Sequence, residues 1–583
     1  MPVHNADIAA VFAEIADLLE IEDANPFRIR AYRNAARVLK DFPQDIRALL
    51  ARSGGNLPKL PGIGEDLAAK IREIVATGGC ALLQRLRGEL PSSITDLLKI
   101  PGLGPKRVRA LYHDLGVQTP AQLLRAAREN RVTRLPGFGD KTQQNILQAI
   151  EAHAGGAGRF KLSVASQYAE GLIAYLRRIR GVRQVEVAGS FRRMRETVGD
   201  LDLLVAAADA GPVMQRFIQY EEVKTTLASG STRASIVLRC GLQVDLRVVD
   251  PANYGAALLY FTGSKAHNIV LRRMAQERGL KLNEYGVFRG AKMVAGATEE
   301  SVYAALDLPY IAPELREDRG EIEAAHAGRL PRLVERASLR GDLHSHTTAS
   351  DGHDSLRAMA LAARAAGLEY LAITEHSRRL AMTRGLDPRR LAKQCDEIDR
   401  LNAELSGITL LKGIEVDVLA DGSLDLPDSA LAQLDIVIAA VHSKFDLPRD
   451  RQTERILRAL GNPYVTLLAH PTGRLIGERK AYDVDMLRIV REAKQRGCYL
   501  ELDAQPDRLD LTDVHCQMAK QEGVLVAIDS DAHSTFDFAN LRYGIGQARR
   551  GWLEAGDVLN TRPLAKLRPL LRRRAVPPRR RKA

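Results

Sequence analysis

The chain is poor in aromatics, with a single tryptophan, and its five cysteines are scattered. Cys80, Cys240, Cys395, Cys498 and Cys516 form no Cys-x-x-Cys pair. That spacing excludes a disulfide framework and a thiolate zinc site, and it points to a reducing compartment. The opening MPVHNADIAAVFAEIADLL brings acids early and lacks the charged-then-apolar order of a secretion signal. No apolar run is long enough to span a bilayer. A cytoplasmic, nucleoid-associated protein with no membrane contact is therefore expected. Beyond Asp557 there are no acidic residues, and the chain ends RPLLRRRAVPPRRRKA. Residues 573–583 read as a basic tail that meets nucleic acid without reading its sequence.

What is present is positive charge on a long chain. The 583 residues carry 85 Lys and Arg against 72 Asp and Glu, a net charge of +13. Length predicts several domains, and the charge predicts a polyanionic partner, nucleic acid first. Ribosome-bound and membrane-surface proteins share that charge, so the motifs have to decide.

Apolar residues recur at helical spacing through Ile8, Val11, Phe12, Ile15, Leu18 and Leu19, so the chain opens with amphipathic helices. Arg28, Arg30, Arg33 and Arg37 follow, with Tyr32 among them, and read as a basic helix face. A repeat then appears: LPGIGEDLAAKI (60–71), IPGLGPKRVRAL (100–111) and LPGFGDKTQQNI (135–146). Each has an apolar–Pro–Gly–x–Gly core leading into a helix. The glycine pairs Gly62 and Gly64, Gly102 and Gly104, Gly137 and Gly139 allow a tight turn, and the helix start behind it exposes N–H groups to one backbone phosphate. One such turn is a commonplace connection, but three in a basic chain favour DNA or RNA backbone binding. They resemble helix-hairpin-helix motifs.

A Gly-rich connector, AHAGGAGRF (152–160), precedes the stretch VEVAGSFRRMRETVGDLDLLV. Alternate residues of a strand share a face, so Asp200 and Asp202 project together, and Asp245 in QVDLRVV can join them from a neighbouring strand. Converging carboxylates suit a pair of Mg²⁺ ions. Gly189 and Ser190 read as a phosphate-cradling turn, with Arg192 and Arg193 adding charge for phosphate oxygens. The plainer alternative is a solvated acidic turn beside an unrelated aspartate. Later, Tyr260, Phe261 and Gly263 break a helical pattern in LLYFTGSKAHN, and His267 there is left unassigned.

After the charged, Pro-marked span 309–335 the pattern changes to short apolar strand, polar loop, helix, as in YLAITEH, LDIVIAAVHS, YVTLLAHP and VLVAIDSDAH. Eight of the 13 histidines lie beyond residue 340. A closed parallel barrel with its site at the strand ends is the natural architecture. Those ends carry His344, His346, Asp351, His376, Glu415, His442, His470, Asp531 and His533, a set suited to Mn²⁺ or Zn²⁺. His353 is a substitute for Asp351. Asp342, Glu375 and Asp529 are candidates to orient imidazoles.

The pattern GS…RR…GDLD with VDLR and YFTGS resembles the family X DNA polymerases, and the histidine array resembles the polymerase-and-histidinol-phosphatase (PHP) family. Their pairing in one chain resembles the bacterial family X arrangement over nearly the full length. The resemblance implies a multidomain fold: α-helical helix-hairpin-helix domains at 1–85 (lyase-like) and 86–155 (fingers-like), then an α+β nucleotidyltransferase palm at 156–250 and thumb at 251–318. A linker at 319–337 and a distorted (β/α) PHP barrel at 338–572 follow. Asp200, Asp202 and Asp245 match the catalytic triad, binding Mg²⁺ or Mn²⁺. Ser190 and Arg193 match contacts to the incoming nucleotide's phosphates, and Tyr260, Phe261 and Gly263 match those to its sugar and base. Asn268 matches a base-edge contact and Arg272 one on the template side. Lys70 falls where the polymerase beta lyase domain has its Schiff-base lysine, and Tyr32 matches an aromatic nearby. Met194 stands where polymerase beta has glycine, and Phe27 and Arg28 replace a His-Lys pair of the lyase site. In the barrel, the resemblance implies about three ions. His344, His346, Glu415 and Asp531 would hold the first. Glu415 would bridge to a second on His442 and His470, and Asp351, His376 and His533 would hold the third.

The implied function is short-gap DNA repair synthesis, with base excision repair and abasic-site processing in view, plus a metal-dependent 3′→5′ exonuclease. The partners would be gapped or primed DNA and dNTPs, and the enzyme a monomer. Two alternatives stand beside it: a DNA-binding scaffold with an inactive polymerase and a PHP hydrolase, and a PHP small-molecule phosphatase.

Overall fold

The computed structural model describes residues 3–42, 44–57, 60, 62–91, 94–98, 100, 103–135, 138–139, 143–144, 146 and 158–571. Gly102, Gly137 and the basic tail 573–583 lie outside the described residues.

The first two helices, Asn5–Ile21 and Pro26–Asp41, pack against each other. Ile8, Phe12, Ile15 and Leu19 of one meet Tyr32, Ala35 and Leu39 of the other, all buried. Pro26 starts the second helix with its φ already helical, and Asn25 accepts the Phe27 N–H at 2.8 Å. The described residues flanking the Pro-Gly repeats share one hydrogen bond. The N–H two residues past each proline donates to the apolar carbonyl before it: Ile63 to Leu60 (3.2 Å), Leu103 to Ile100 (3.0 Å) and Phe138 to Leu135 (3.1 Å). Gly64 and Gly104 cap the helices Glu65–Thr77 and Pro105–Leu115. The boundary expected at residue 85 falls inside the helix Ala81–Glu89. Leu83 and Leu86 bury that helix in the first domain's core, so it belongs there.

Next comes a five-stranded sheet in the order Val182–Val187, Asp200–Ala207, Gln243–Val249, Arg233–Leu238, Val223–Ser229. The helices Leu162–Leu176 and Gly211–Ile218 cover its apolar face. The second and third strands in this order run parallel, in a register that sets Asp202 opposite Asp245. The helices Tyr254–Thr262 and Lys265–Glu277 and a small three-stranded sheet follow. The span read as a linker is folded. Its helix Glu321–His326 buries Ile322 and Ala325 in the preceding core, and Glu321 bonds His267 at 2.7 Å.

Seven parallel strands then pair in sequence order, from Gly341–Asp342 to Val526–Asp529. A bridge between Ser345 and Ala532 brings the first and last strand ends together. Because the strands run parallel, all their C-terminal ends open on one rim. The barrel also packs on the first sheet. Ile476, Leu509 and Tyr543 lie in the same apolar cluster as Leu201, Leu203 and Val244, and Arg474 pairs with Glu196 at 2.7 Å.

Candidate active sites

The sheet site is built by register. Asp200 and Asp202 lie two apart on one strand, and Asp202 is paired across to Asp245. Asp245 accepts from Gln243 Nε2 at 2.9 Å and from the Ser235 hydroxyl. Burial, followed by the charges of Asp200 and Asp245, pushes the Asp202 carboxyl up to about 7. Burial and Asp245 likewise raise Asp200. Carboxylates that repel one another into protonation fit a site meant for divalent cations. Gly189 has φ +63°, and a Cβ there would lie 2.3 Å from Asp202 Oδ2, so only glycine lets the turn pass over the carboxylate.

The arginine pair divides its work. Arg192 donates to Glu299 at 2.7 and 2.9 Å and to Thr262 Oγ1 at 2.8 Å, and the fully buried Arg316 reaches the same Glu299 at 2.6 Å. Arg192 therefore ties the turn to the later domain and has no fork to spare for phosphate, contrary to the sequence reading. Arg193 donates to Glu317 Oε1 at 3.1 Å and to the Thr262 carbonyl. Gly263, φ +68°, leaves Arg193 Nη1 close by, with an added Cβ only 3.3 Å from it. Ser190 lies in the same short helix, Gly189–Arg192. Arg272 covers the Tyr260 ring at 4.9 Å, Arg247 covers Phe261 at 4.3 Å, and Asn268 donates to the Tyr260 carbonyl at 2.7 Å. His267 is wholly buried between Glu321 and Tyr303 (2.7 and 3.0 Å), which makes it a core residue.

The barrel rim gathers all nine expected ligands. Three sets have ligand atoms within 4.8 Å of one another: His346, Asp351, His376 and His533; His344, His346 and Asp531; His376, Glu415 and His442. His470 Nε2 lies 3.0 Å from Glu415 Oε1. His344 and His346 point their Nε2 atoms at each other, 3.1 Å apart. The buried Nδ1 atoms of His346 and His470 have no hydrogen-bond partner. The orphaned His346 Nδ1, 3.9 Å from Asp351 Oδ1, and the clustering of imidazoles on carboxylates fit a polynuclear metal centre. Burial alone would raise Glu415, but His442, His376 and His344 hold its carboxyl well below the usual range. The exposed His353 joins none of the three sets.

The acids that orient imidazoles are different from those expected. Glu501 accepts from His344 Nδ1 at 2.6 Å and from the His470 N–H at 2.6 Å, and Asp417 meets His442 Nδ1 at 3.2 Å. Asp342, Glu375 and Asp529 instead take backbone N–H groups of Ser530, Thr347 and Leu343. The available signal was a charge inside an apolar strand, as in CYLELDA. Arg508, also missed, lies 3.3 Å from Asp503 and 3.9 Å from Asp531.

Lys70 lies on the helix behind the first hairpin, 2.5 Å from Asp66. Burial lowers its ammonium, but the hydrogen bond to Asp66 and the nearby Tyr32 outweigh this and leave it raised. Arg33 of the basic face is already paired with Asp17 (3.3 Å) and Glu20. No helix among the described residues is long and apolar enough to cross a membrane.

A sheet with abreast aspartates and a barrel rimmed with imidazoles together define a nucleotidyltransferase joined to a metal-dependent phosphoesterase. Comparison with known proteins narrows that class. A helix-hairpin-helix domain matches residues 3–80, a tandem of that motif 94–152, the DNA polymerase beta thumb 257–317, and the PHP domain 342–504. The DNA polymerase/3′-5′ exonuclease PolX of Bacillus subtilis is 38% identical over 575 residues, covering 98% of this chain and 100% of that one. A probable phosphatase of Thermoanaerobacter sp. is 29% identical over 38% of this chain and 89% of its own length. One of Caldanaerobacter subterraneus is 30% identical over 34% and 77%. The chain belongs to the family X DNA polymerases that carry a C-terminal PHP domain.

Proposed function

We propose that this chain fills short gaps in DNA by template-directed synthesis and removes 3′-terminal nucleotides in its PHP barrel. The observation that carries the reading is the register that sets Asp202 beside Asp245 and two residues from Asp200. These three would hold Mg²⁺ or Mn²⁺, and the bound ions would favour ionisation of the primer 3′-OH and neutralise charge on the triphosphate. The chain's own residues do the rest. The turn at Gly189 leaves room for Asp202, while Ser190 and Arg193 would orient the triphosphate. Phe261 under Arg247 and Tyr260 under Arg272 would form the walls for sugar, base and template, with Gly263 and Asn268 beside them.

In the barrel, the nine rim residues would hold Mn²⁺ or Zn²⁺, supplying hydroxide at neutral pH and charge neutralisation for a phosphodiester. Glu501 and Asp417 fix the rings of His344 and His442, so that their Nε2 atoms face the site. The hairpins at Gly62 and Gly64, Gly102 and Gly104, and Gly137 and Gly139 would grip phosphates through backbone N–H groups. The Arg28–Arg37 face would meet a downstream 5′-phosphate, as short-gap repair requires. The B. subtilis relative's name, covering both chemistries across the full length, supports this reading.

The test is a labelled primer on gapped and open templates, with and without dNTPs, in Mg²⁺ and in Mn²⁺. Extension with dNTPs and shortening without them are expected, with the gap bearing a 5′-phosphate used best. No extension under any condition would leave the scaffold reading. The names of the probable phosphatases, which match the barrel, favour a second reading as a small-molecule phosphatase. The hairpins and the three aspartates are surplus to it.

A further inference from the structure

The barrel reaches into the polymerase site through its helix Leu541–Arg550. Arg550 closes that helix, with its side chain 3% exposed. Its Nη1 donates to the Arg193 carbonyl at 2.7 Å and to Glu317 Oε1 at 2.8 Å. Its Nη2 donates to Asp513 Oδ2 at 2.8 Å, and Arg319 pins that aspartate at 3.1 Å. Glu317 Oε1 also accepts from Arg193 Nε at 3.1 Å. One carboxylate oxygen is thus shared by two guanidiniums, one on the nucleotidyltransferase turn and one on the barrel.

The next residue of the turn makes a second contact. Met194 has φ +53° and lies against Gly546 of the same barrel helix. A Cβ at 546 would come within 2.4 Å of the Met194 side chain. The methionine that departs from the polymerase beta pattern is therefore the side chain that seats the turn on the barrel.

We propose that Arg550 is a positioning residue of the polymerase, acting through Arg193 from the other domain. This rests on the reading of Arg193 as a triphosphate contact. Glu317 attracts Arg193, and Arg550 divides that attraction by occupying the same oxygen. Without Arg550, the arginines paired with Glu317 among the described residues are Arg193 and, at 3.8 Å, Arg195. The carboxylate then pulls Arg193 towards itself and away from a triphosphate. The Arg193 carbonyl also loses its donor, which loosens a turn held in a left-handed conformation at Met194. Both effects weaken nucleotide binding, and neither touches the rim ligands of the barrel.

The experiment is single-nucleotide insertion on a gapped template by the full-length chain, with exonuclease activity on single-stranded DNA measured in the same preparations. Arg550→Ala is expected to raise KM for dNTP roughly tenfold, as loss of a charge-assisted hydrogen bond does, with kcat changed less than about twofold. Exonuclease activity should be unchanged. Arg550→Lys should recover part of the loss, because an ammonium still engages Glu317. Arg193→Ala should raise KM at least as much, and adding Arg550→Ala to it should raise KM no further. An unchanged KM in Arg550→Ala beside a raised KM in Arg193→Ala would overturn the relay alone. An unchanged KM in Arg193→Ala would overturn the triphosphate reading itself. Parallel loss of extension, exonuclease and thermal midpoint in both Arg550 variants would make the residue structural only and would also overturn the proposal.

Discussion

Replacing Glu299 with glutamine tests how the nucleotidyltransferase turn is tied to the domain after it. The Glu299 side chain is 4% exposed and accepts from two guanidiniums, Arg192 at 2.7 and 2.9 Å and Arg316 at 2.6 Å. Taking the carboxylate charge away leaves both cations buried, which in such pairs costs about 3–5 kcal/mol. The lower end applies here because neither arginine is fully orphaned. Arg192 keeps Thr262 at 2.8 Å, and Arg316 keeps the Ile311 carbonyl at 2.9 Å and the Tyr303 and Tyr310 rings at 5.3 and 5.4 Å. Urea denaturation measures the loss. The single tryptophan, Trp552, packs against the core of the domain that carries Glu299, so its fluorescence reports the unit concerned. A loss of about 3 kcal/mol at a slope of roughly 2 kcal/mol/M lowers the midpoint by about 1.5 M. The pH dependence has a defined sign. Burial would raise the Glu299 carboxyl, but Arg192 and Arg316 hold it below its ordinary 4.5. The stability from this group is therefore complete above pH 4.5 and is lost as pH falls through the lower folded value. The gap between wild type and Glu299→Gln should stay constant from pH 6 to 8 and close only in acid. Adding Arg192→Met should restore part of the loss by removing one unpaired cation. A variant within about 1 kcal/mol of wild type at pH 7 would refute the reasoning, since buried pairs broken on one side lose more than that.

Gly189→Ala places a methyl 2.3 Å from Asp202 Oδ2 at a positive φ, so primer extension should fall about a hundredfold, as a displacement near 1 Å can do, while exonuclease rates hold. Asp200→Ala should abolish extension and spare the nuclease, and Glu415→Ala should do the reverse; loss of both activities in either variant would contradict two separate centres. Lys70 has its ammonium raised by Asp66, the wrong direction for an amine nucleophile, so borohydride trapping on a 5′-sugar phosphate should be the same in Lys70→Ala and wild type. A chelator should lower the thermal midpoint of the barrel, because ions that bind only the folded rim at a hundred times their Kd stabilise it by about 2.7 kcal/mol; an unchanged midpoint would count against a resident centre.

How much of this was legible depended on whether a signal was local. His344, His346, Asp351, Asp531 and His533 stand in short strings at strand ends, and a parallel barrel brings every such end to one rim whatever the loops between. Asp200 and Asp202 were readable because strand period is two. The hairpins repeat, so one turn explained three. What the sequence hid were partners far along the chain. Nothing local separates Arg192 from Arg193. One is claimed by Glu299, 107 residues on, and the other by Glu317, 124 residues on. The acids that hold imidazoles were misassigned for the same reason. Asp342 and Asp529 sit two residues from candidate ligands but turn to backbone N–H groups, whereas Glu501 reaches His344 across 157 residues. The 319–337 span looked like a linker because it is charged, yet Glu321 is wholly buried against His267. Charge reads as solvent exposure only until its counter-charge is located, and in this chain many counter-charges lie in another domain. That is also why domains that look separable by their ligands share Arg550, Glu317 and Arg193. Each set of candidate ligands lies within its own domain, but the turn that would meet the triphosphate rests on the barrel.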